Sequence, residues 1–262
     1  MKRCYLFIFA AICALVLGCS SGSGPGEDPG TGPVVEPADK PQVGKTLPDW
    51  SEGYLDIHAV NTGRGECTLL ILPDGTTMLV DAAGSTISDD DAIPPPPLKP
   101  NASADPGQTV SNYVSHFIAS ASGKLDYLLV SHWHADHIGG PPTEAMPLHP
   151  AGGFRICGVT KVGSDIRVDK TVDRGFTFPR NILAVYSGVA NYKKFVDWNK
   201  SANSAEHEEF RVGVTDQFTL RKDASKYPTF SIRNLACNGV VWTGSGTNTV
   251  SYTHLRAHET RE

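Results

Sequence analysis

The segment Ser131-His132-Trp133-His134-Ala135-Asp136-His137-Ile138-Gly139-Gly140 restricts this chain more than any other stretch. Three histidines and an aspartate fall within six positions, directly behind the apolar run Leu125-Asp126-Tyr127-Leu128-Leu129-Val130, which reads as a buried strand. In an extended segment alternate residues share a side, so His132 and His134 reach one point while Asp136 and His137 turn towards a second. Neutral imidazole with carboxylate suits Zn2+, with Fe or Mn as alternatives. Gly139-Gly140 lets the backbone pass the cluster without a side chain in the way. The competing reading, a polar loop of ordinary surface histidines, leaves four ligand-type side chains idle at a strand end, where functional residues concentrate. Ser131 and His132 are neighbours on extended chain, so they should face opposite ways and not form a nucleophile–base pair.

The surrounding pattern is α/β. Tyr54–Val60 alternates imperfectly, Thr68–Leu72 and Thr77–Val80 are short apolar runs, and Pro73-Asp74-Gly75 between them is hairpin chemistry. Asp81 closes the second run. A polar, proline-rich loop over Ser88–Gly107 is too long to be a simple connection. Val110, Tyr113, Val114, Phe117 and Ile118 have helical spacing, with Gly123 as a stop. This β-β-loop-α-β order predicts layered α/β architecture. Further on, Phe154–Val162 can hold a strand, and Ala190–Asn199 reads as an amphipathic helix. Glu206–Glu209 reads as a solvated edge, and Phe230–Leu235 with Val240–Trp242 as a hairpin. No internal repeat is visible.

Composition narrows the function. With 40% hydrophobic and 19% charged residues, the chain as a whole is neither disordered, collagenous nor coiled-coil. A formal charge of −5 gives no basic footprint for wrapping duplex nucleic acid, so such a substrate needs a metal or a local basic patch. Cys67, Cys157 and Cys237, outside the leader, are odd in number and contain no C-x-x-C, which excludes a zinc ribbon and a disulfide framework.

The first residues read as an address. Lys2 and Arg3 precede Tyr5–Leu17, an apolar run of thirteen residues, short of the ~20 that a membrane-spanning helix needs. Cys19 directly after Leu17-Gly18 resembles the lipobox of bacterial lipoproteins. That resemblance implies cleavage before Cys19, a lipid on its thiol and a site on the non-cytoplasmic side of a membrane. Residues 20–50 hold six Gly and six Pro and should form a flexible spacer, leaving residues 51–249 as the folded domain. At the other end, Val250–Thr260 resembles the translation of a transposase sequencing adapter. Residues 250–262 are therefore set aside, together with the i, i+4 pair His254 and His258. The natural frame is expected to continue beyond Thr249.

A strand hairpin, Asp81 behind Thr77–Val80, a helix, a strand and then H-x-H-x-D-H resembles the first half of a metallo-β-lactamase superfamily domain. Val60–Cys67 through Leu79-Val80-Asp81 is more similar to one branch, the hydrolase domain of DNA-uptake competence proteins (ComEC-like) and its secreted relatives. There the first glycine-containing loop, Asn61–Glu66 here, lies beside the metals. The resemblance spans Leu55–Gly140. It implies an αββα sandwich with two Zn2+ ions at one edge, His132 and His134 on the first, Asp136 and His137 on the second. Asp136 would also hold and deprotonate the attacking water, and Asp81 would orient the site from behind. The family's later bridging aspartate and C-terminal histidine are not visible before Thr249, so the sandwich is expected to be incomplete in its C-terminal half. His149 and His207 read as surface or loop histidines.

The expectation is a membrane-tethered hydrolase of the cell envelope, acting on a phosphodiester, either a small molecule or nucleic acid, with no protein partner. The alternatives are a non-catalytic surface-binding lipoprotein and an inactive truncated fragment of such a hydrolase.

Overall fold

Three parallel crossovers follow two antiparallel hairpins, and this order determines the sheet. The structure, a computed structural model, describes residues 43–63, 65–83, 101, 105–176 and 187–249. The leader with Cys19, the spacer up to residue 42, most of the Ser88–Gly107 loop and the tail from residue 250 lie outside the described residues. No helix among the described residues is long and apolar enough to cross a membrane.

Strands β1 (Asp56–Ala59), β2 (Thr68–Ile71) and β3 (Thr77–Val80) pair antiparallel, and β4 (Leu125–Leu129), β5 (Val168–Asp173) and β6 (Glu206–Glu209) join in parallel. The six lie in chain order in one sheet, with β1 and β6 at its edges. The β2–β3 turn closes as its chemistry demands. Gly75 takes φ 81°, and the buried Asp74 carboxylate accepts from Thr76 N–H. The same carboxylate accepts from Lys222 N–H and Asp223 N–H, nearly 150 residues further on.

Helix α1 (Pro106–Ile118) bridges β3 to β4. It begins a turn earlier than the apolar spacing alone indicates, because Asp105 caps it, accepting from Gln108 N–H at 2.7 Å, and Pro106 starts it. The one-turn helix α2 (Ala135–Ile138) and helix α3 (Gly158–Asp165) lie between β4 and β5. The expected strand over Phe154–Val162 is therefore wrong. Val159, Val162 and Ile166 recur at helical spacing, and Thr160 Oγ1 accepts from Cys157 N–H at the helix start. Helix α4 (Ser187–Asn203) bridges β5 to β6 and buries Val189, Tyr192, Phe195 and Val196. The helices pack α1 on α3 and α3 on α4 over one face of the sheet. The main core lies between them, with Leu69, Leu79, Leu128, Val162 and Phe195 at or near zero exposure.

The other face is covered by coil. Leu70, Met78, Val80, Tyr127, Leu129 and Val172 pack against Phe210, Phe218 and Ile232. Phe230–Leu235, expected as a strand, belongs to this irregular cover, and the hairpin starts later. β7 (Ala236–Cys237) and β8 (Val240–Trp242) turn over Asn238 and Gly239, both at positive φ, and β9 (Thr247–Thr249) completes a separate three-stranded sheet. Phe218, 2% exposed with its ring 5.4 Å from that of Tyr127, anchors the cover. Phe218→Ala is expected to lower the unfolding free energy by about 3–4 kcal/mol. Urea denaturation measures this, and a loss under about 1 kcal/mol would show that the cover collapses to fill the gap.

Candidate metal centre

All the motif residues emerge from the carboxyl end of β4, beside the end of β3. The chain leaves the sheet at Val130. Trp133 turns inward, 8% exposed, its ring stacked 5.5 Å from Phe176, while His132 and His134 turn outward. His132 Nε2 lies 3.1 Å from His134 Nδ1. One ligand atom each from His132, His134 and Asp136 lies within 4.8 Å of the other two. His137 is not in that trio, although its Nε2 is 3.8 Å from Asp136 Oδ2. Asp136 thus gathers with both first histidines rather than with His137 alone.

Asp81 holds the group from behind. It sits just past β3 at φ 55°, a conformation Asp tolerates better than most residues, and is 1% exposed. Its Oδ1 accepts from Ser131 N–H at 2.8 Å, and its Oδ2 accepts the Ser131 hydroxyl at 2.6 Å and His137 Nδ1 at 2.8 Å. Ser131 Oγ also lies 3.2 Å from His132 Nδ1, which corrects the expectation that Ser131 and His132 face apart. β4 has ended by then, so strand alternation no longer applies. The contact does not make Ser131 a nucleophile, because its only proton goes to Asp81. Its oxygen is an acceptor instead, and the network places the Nδ1 protons of His132 and His137 on Ser131 and Asp81. The Nε2 lone pairs of both rings are then left for a cation.

Two neighbouring loops are stitched to the motif. Glu66 N–H donates to Asp136 O, Ala82 N–H to His137 O and Ala83 N–H to Glu66 O. Gly65, at φ 92°, makes this possible, since a Cβ there would lie 1.9 Å from Asp136 O. Gly139 has a different duty from the one expected. Its backbone presses against α3, where a Cβ would stand 2.5 Å from Gly158 Cα.

Electrostatics suit a cation. Burial, then the neighbouring His137 and His134, pushes the His132 pKa down to about 4, so this ring is neutral at physiological pH. Burial also opposes charge on His137, but the Asp81 hydrogen bond and charge, with Asp136 and Glu66, raise its pKa above the ordinary imidazole value. These opposite shifts set the pH response of the metal-free chain. His137 contributes stability below 6.5 that is lost as pH rises through its raised value, whereas His132 contributes stability above 6.5 that is lost as pH falls towards 4. Thermal melting of the metal-free chain should therefore peak near pH 6.5, with His137→Gln flattening the alkaline arm and His132→Gln the acid arm. Unchanged arms in either variant would refute that assignment.

Two imidazoles and a carboxylate converging on one point, with His132 Nδ1 held by Ser131, fit a divalent cation of the zinc, manganese or iron type. The remaining histidines lie elsewhere. His149 stacks 4.5 Å from Phe154 and accepts from Gly152 N–H. His207, read as a surface or loop residue, is on β6 and bonds through Nε2 to Asp173, which is fully buried and also accepts from Tyr192 OH. Neither histidine's spacing in the sequence announces these partners. Cys67, Cys157 and Cys237 are free thiols.

A strand-end His/His/Asp cluster on a mixed α/β sheet defines a candidate metallo-hydrolase. Residues 61–142 match the Metallo-beta-lactamase superfamily, which implies metal-dependent hydrolysis. The match begins in the glycine-containing loop and ends just past Gly140, enclosing Asp81 and the whole motif. The mixed sheet with its helix layer is consistent with that family's sandwich fold. No curated protein matches the chain.

Proposed function

We propose that the chain is a membrane-tethered, extracytoplasmic hydrolase of phosphodiesters, with nucleic acid as the natural substrate class, built around a dinuclear zinc centre. The observation that carries the reading is the convergence of His132, His134 and Asp136 inside the segment that matches the superfamily. The finer similarity of Val60–Asp81 to the competence-type branch supports the phosphodiester substrate. Lys2, Arg3, the apolar Tyr5–Leu17 run and Cys19 support the tether.

His132 and His134 would hold one cation, and Asp136 and His137 a second. When bound, such cations supply a water of lowered pKa and positive charge for the phosphoryl oxygen. The residues do the rest. Asp136, with its side chain 36% exposed, can hold the attacking water and take its proton. Asp81 and Ser131 keep the Nδ1 atoms of His137 and His132 occupied, so the rings cannot swivel out of place.

Reconstitution of the full chain with Zn2+, Mn2+ or Fe2+, followed by metal analysis and turnover of bis(4-nitrophenyl) phosphate, tests the chemistry. Two cations per full-length protein are expected, with turnover abolished by chelation and lowered at least about 100-fold by Asp136→Asn. One cation or none, with no turnover, would favour a binding lipoprotein instead. Membrane fractionation tests the tether, since Cys19→Ala should release the chain from the membrane fraction. Equal distribution of both forms would overturn it.

A further inference from the structure

The starts of β4 and β5 form the end of the sheet opposite the histidines. From Lys124 to Val130 alone the chain spans roughly 20 Å at the usual strand rise. Here a cavity of about 410 Å3 is lined by Lys124, Asp126, Arg167, Asp169, Arg221 and Lys222. Four cations meeting in a chain of net negative charge call for a reason.

The carboxylates account for two of the four, since Lys124 pairs with Asp126 and Asp169 and Arg167 with Asp169, whereas Arg221 and Lys222 have no carboxylate partner among the described residues. Asp126, 2% exposed, accepts from Thr77 N–H and the Thr77 hydroxyl. Asp169 is shared by Lys124 and Arg167 Nε. Glu206, the third acid at the cavity, lies 3.8 Å from Lys170. The cations keep donors in hand. Arg167 spends Nη2 on Asn203 O, which leaves Nη1. Lys222 Nζ donates to Gly75 O and Ala121 O, with a third N–H remaining. The Arg221 guanidinium lies 4.9 Å over the Tyr127 ring and has no acceptor among the described residues. Its backbone is fixed, since Arg221 N–H donates to Thr76 Oγ1.

We propose that this cavity binds a small phosphomonoester of nucleotide size, its phosphate received by Arg167, Arg221 and Lys222. Spare guanidinium and ammonium donors around one space suit a phosphate dianion. The volume exceeds what phosphate alone would fill and falls in the range of small-molecule sites. The outer face of the Arg221 plane, backed by Tyr127, offers a flat surface for a base. This site is independent of the metal centre and of the reaction proposed there.

Calorimetric titration of the full chain, kept free of metal by a chelator, with adenosine monophosphate, inorganic phosphate and adenosine tests the proposal. Binding of the monophosphate in the millimolar range or tighter is expected, weaker binding of phosphate, and little of adenosine. Arg221→Ala and Arg167→Ala should each weaken the monophosphate about tenfold, and His132→Ala should leave it unchanged. Arg221→Lys keeps the charge without the plane, and should retain phosphate binding while losing the preference for the nucleotide. Melting curves confirm that each variant is folded. No binding of the monophosphate would overturn the proposal. So would binding that survives Arg221→Ala and Arg167→Ala, or that disappears in His132→Ala.

Discussion

Asp81→Ala is expected to destabilise the metal-free chain by about 3 kcal/mol and to lower cation affinity about 10- to 100-fold. Three donors lose their acceptor at once: Ser131 N–H, the Ser131 hydroxyl and His137 Nδ1. Ser131 N–H is then left without its acceptor, His137 Nδ1 keeps only Ser131 Oγ at 3.2 Å, and the alanine must take φ 55°, which Asp or Asn accepts more readily. Asp81→Asn separates these effects. It tolerates the backbone and can still accept from Ser131 N–H, but it offers no charge to His137. Its stability loss should be about half that of alanine, with the cation affinity still reduced. Denaturant unfolding and metal titration read the two quantities separately. Wild-type affinity in Asp81→Asn would mean that the carboxylate is structural only.

Gly65→Ala should be comparably severe at a position with no ligand of its own. The added Cβ would lie 1.9 Å from Asp136 O and 2.5 Å from Ala83 Cβ, at a backbone angle of φ 92°. Backbone strain and the forced shift of the loop together cost about 3 kcal/mol. The shift is transmitted directly to Asp136, so hydrolysis should fall about 100-fold, as expected for a misplacement near 1 Å. Steady-state kinetics with metal content checks this. Full metal content with unchanged turnover would show that the glycine-containing loop yields without moving Asp136.

The metal cluster, the β2–β3 hairpin and α1 were legible because each has a local signal: ligand spacing behind an apolar run, turn chemistry, and helical periodicity. What escaped was held by distant partners. β5 reads Val-Asp-Lys-Thr-Val-Asp, a poor strand by hydrophobic pattern. Its Lys170 is buried against Glu208, and its Asp173 against Tyr192 and His207, all more than fifteen residues away. The same pairing hid the environment of His207. The segment Phe154–Val162 misled because short apolar runs suit a strand or a helix alike, and the cap at Cys157 and Thr160 decides between them. Strand alternation fails at Ser131, which lies two residues past the end of β4.

The bonds between the Asp74 carboxylate and the backbone of Lys222 and Asp223 carry a kinetic consequence. A turn formed early in synthesis is completed only by amides made nearly 150 residues later, so part of the support of the β2–β3 hairpin is missing until translation has passed Asp223. Before then one face of the nascent sheet, including Met78 and Tyr127, lacks the Phe218 cover and is open to solvent or to a chaperone. Nascent chains arrested before Phe218 should accordingly be cut readily by protease, and those extended past Asp223 should resist it.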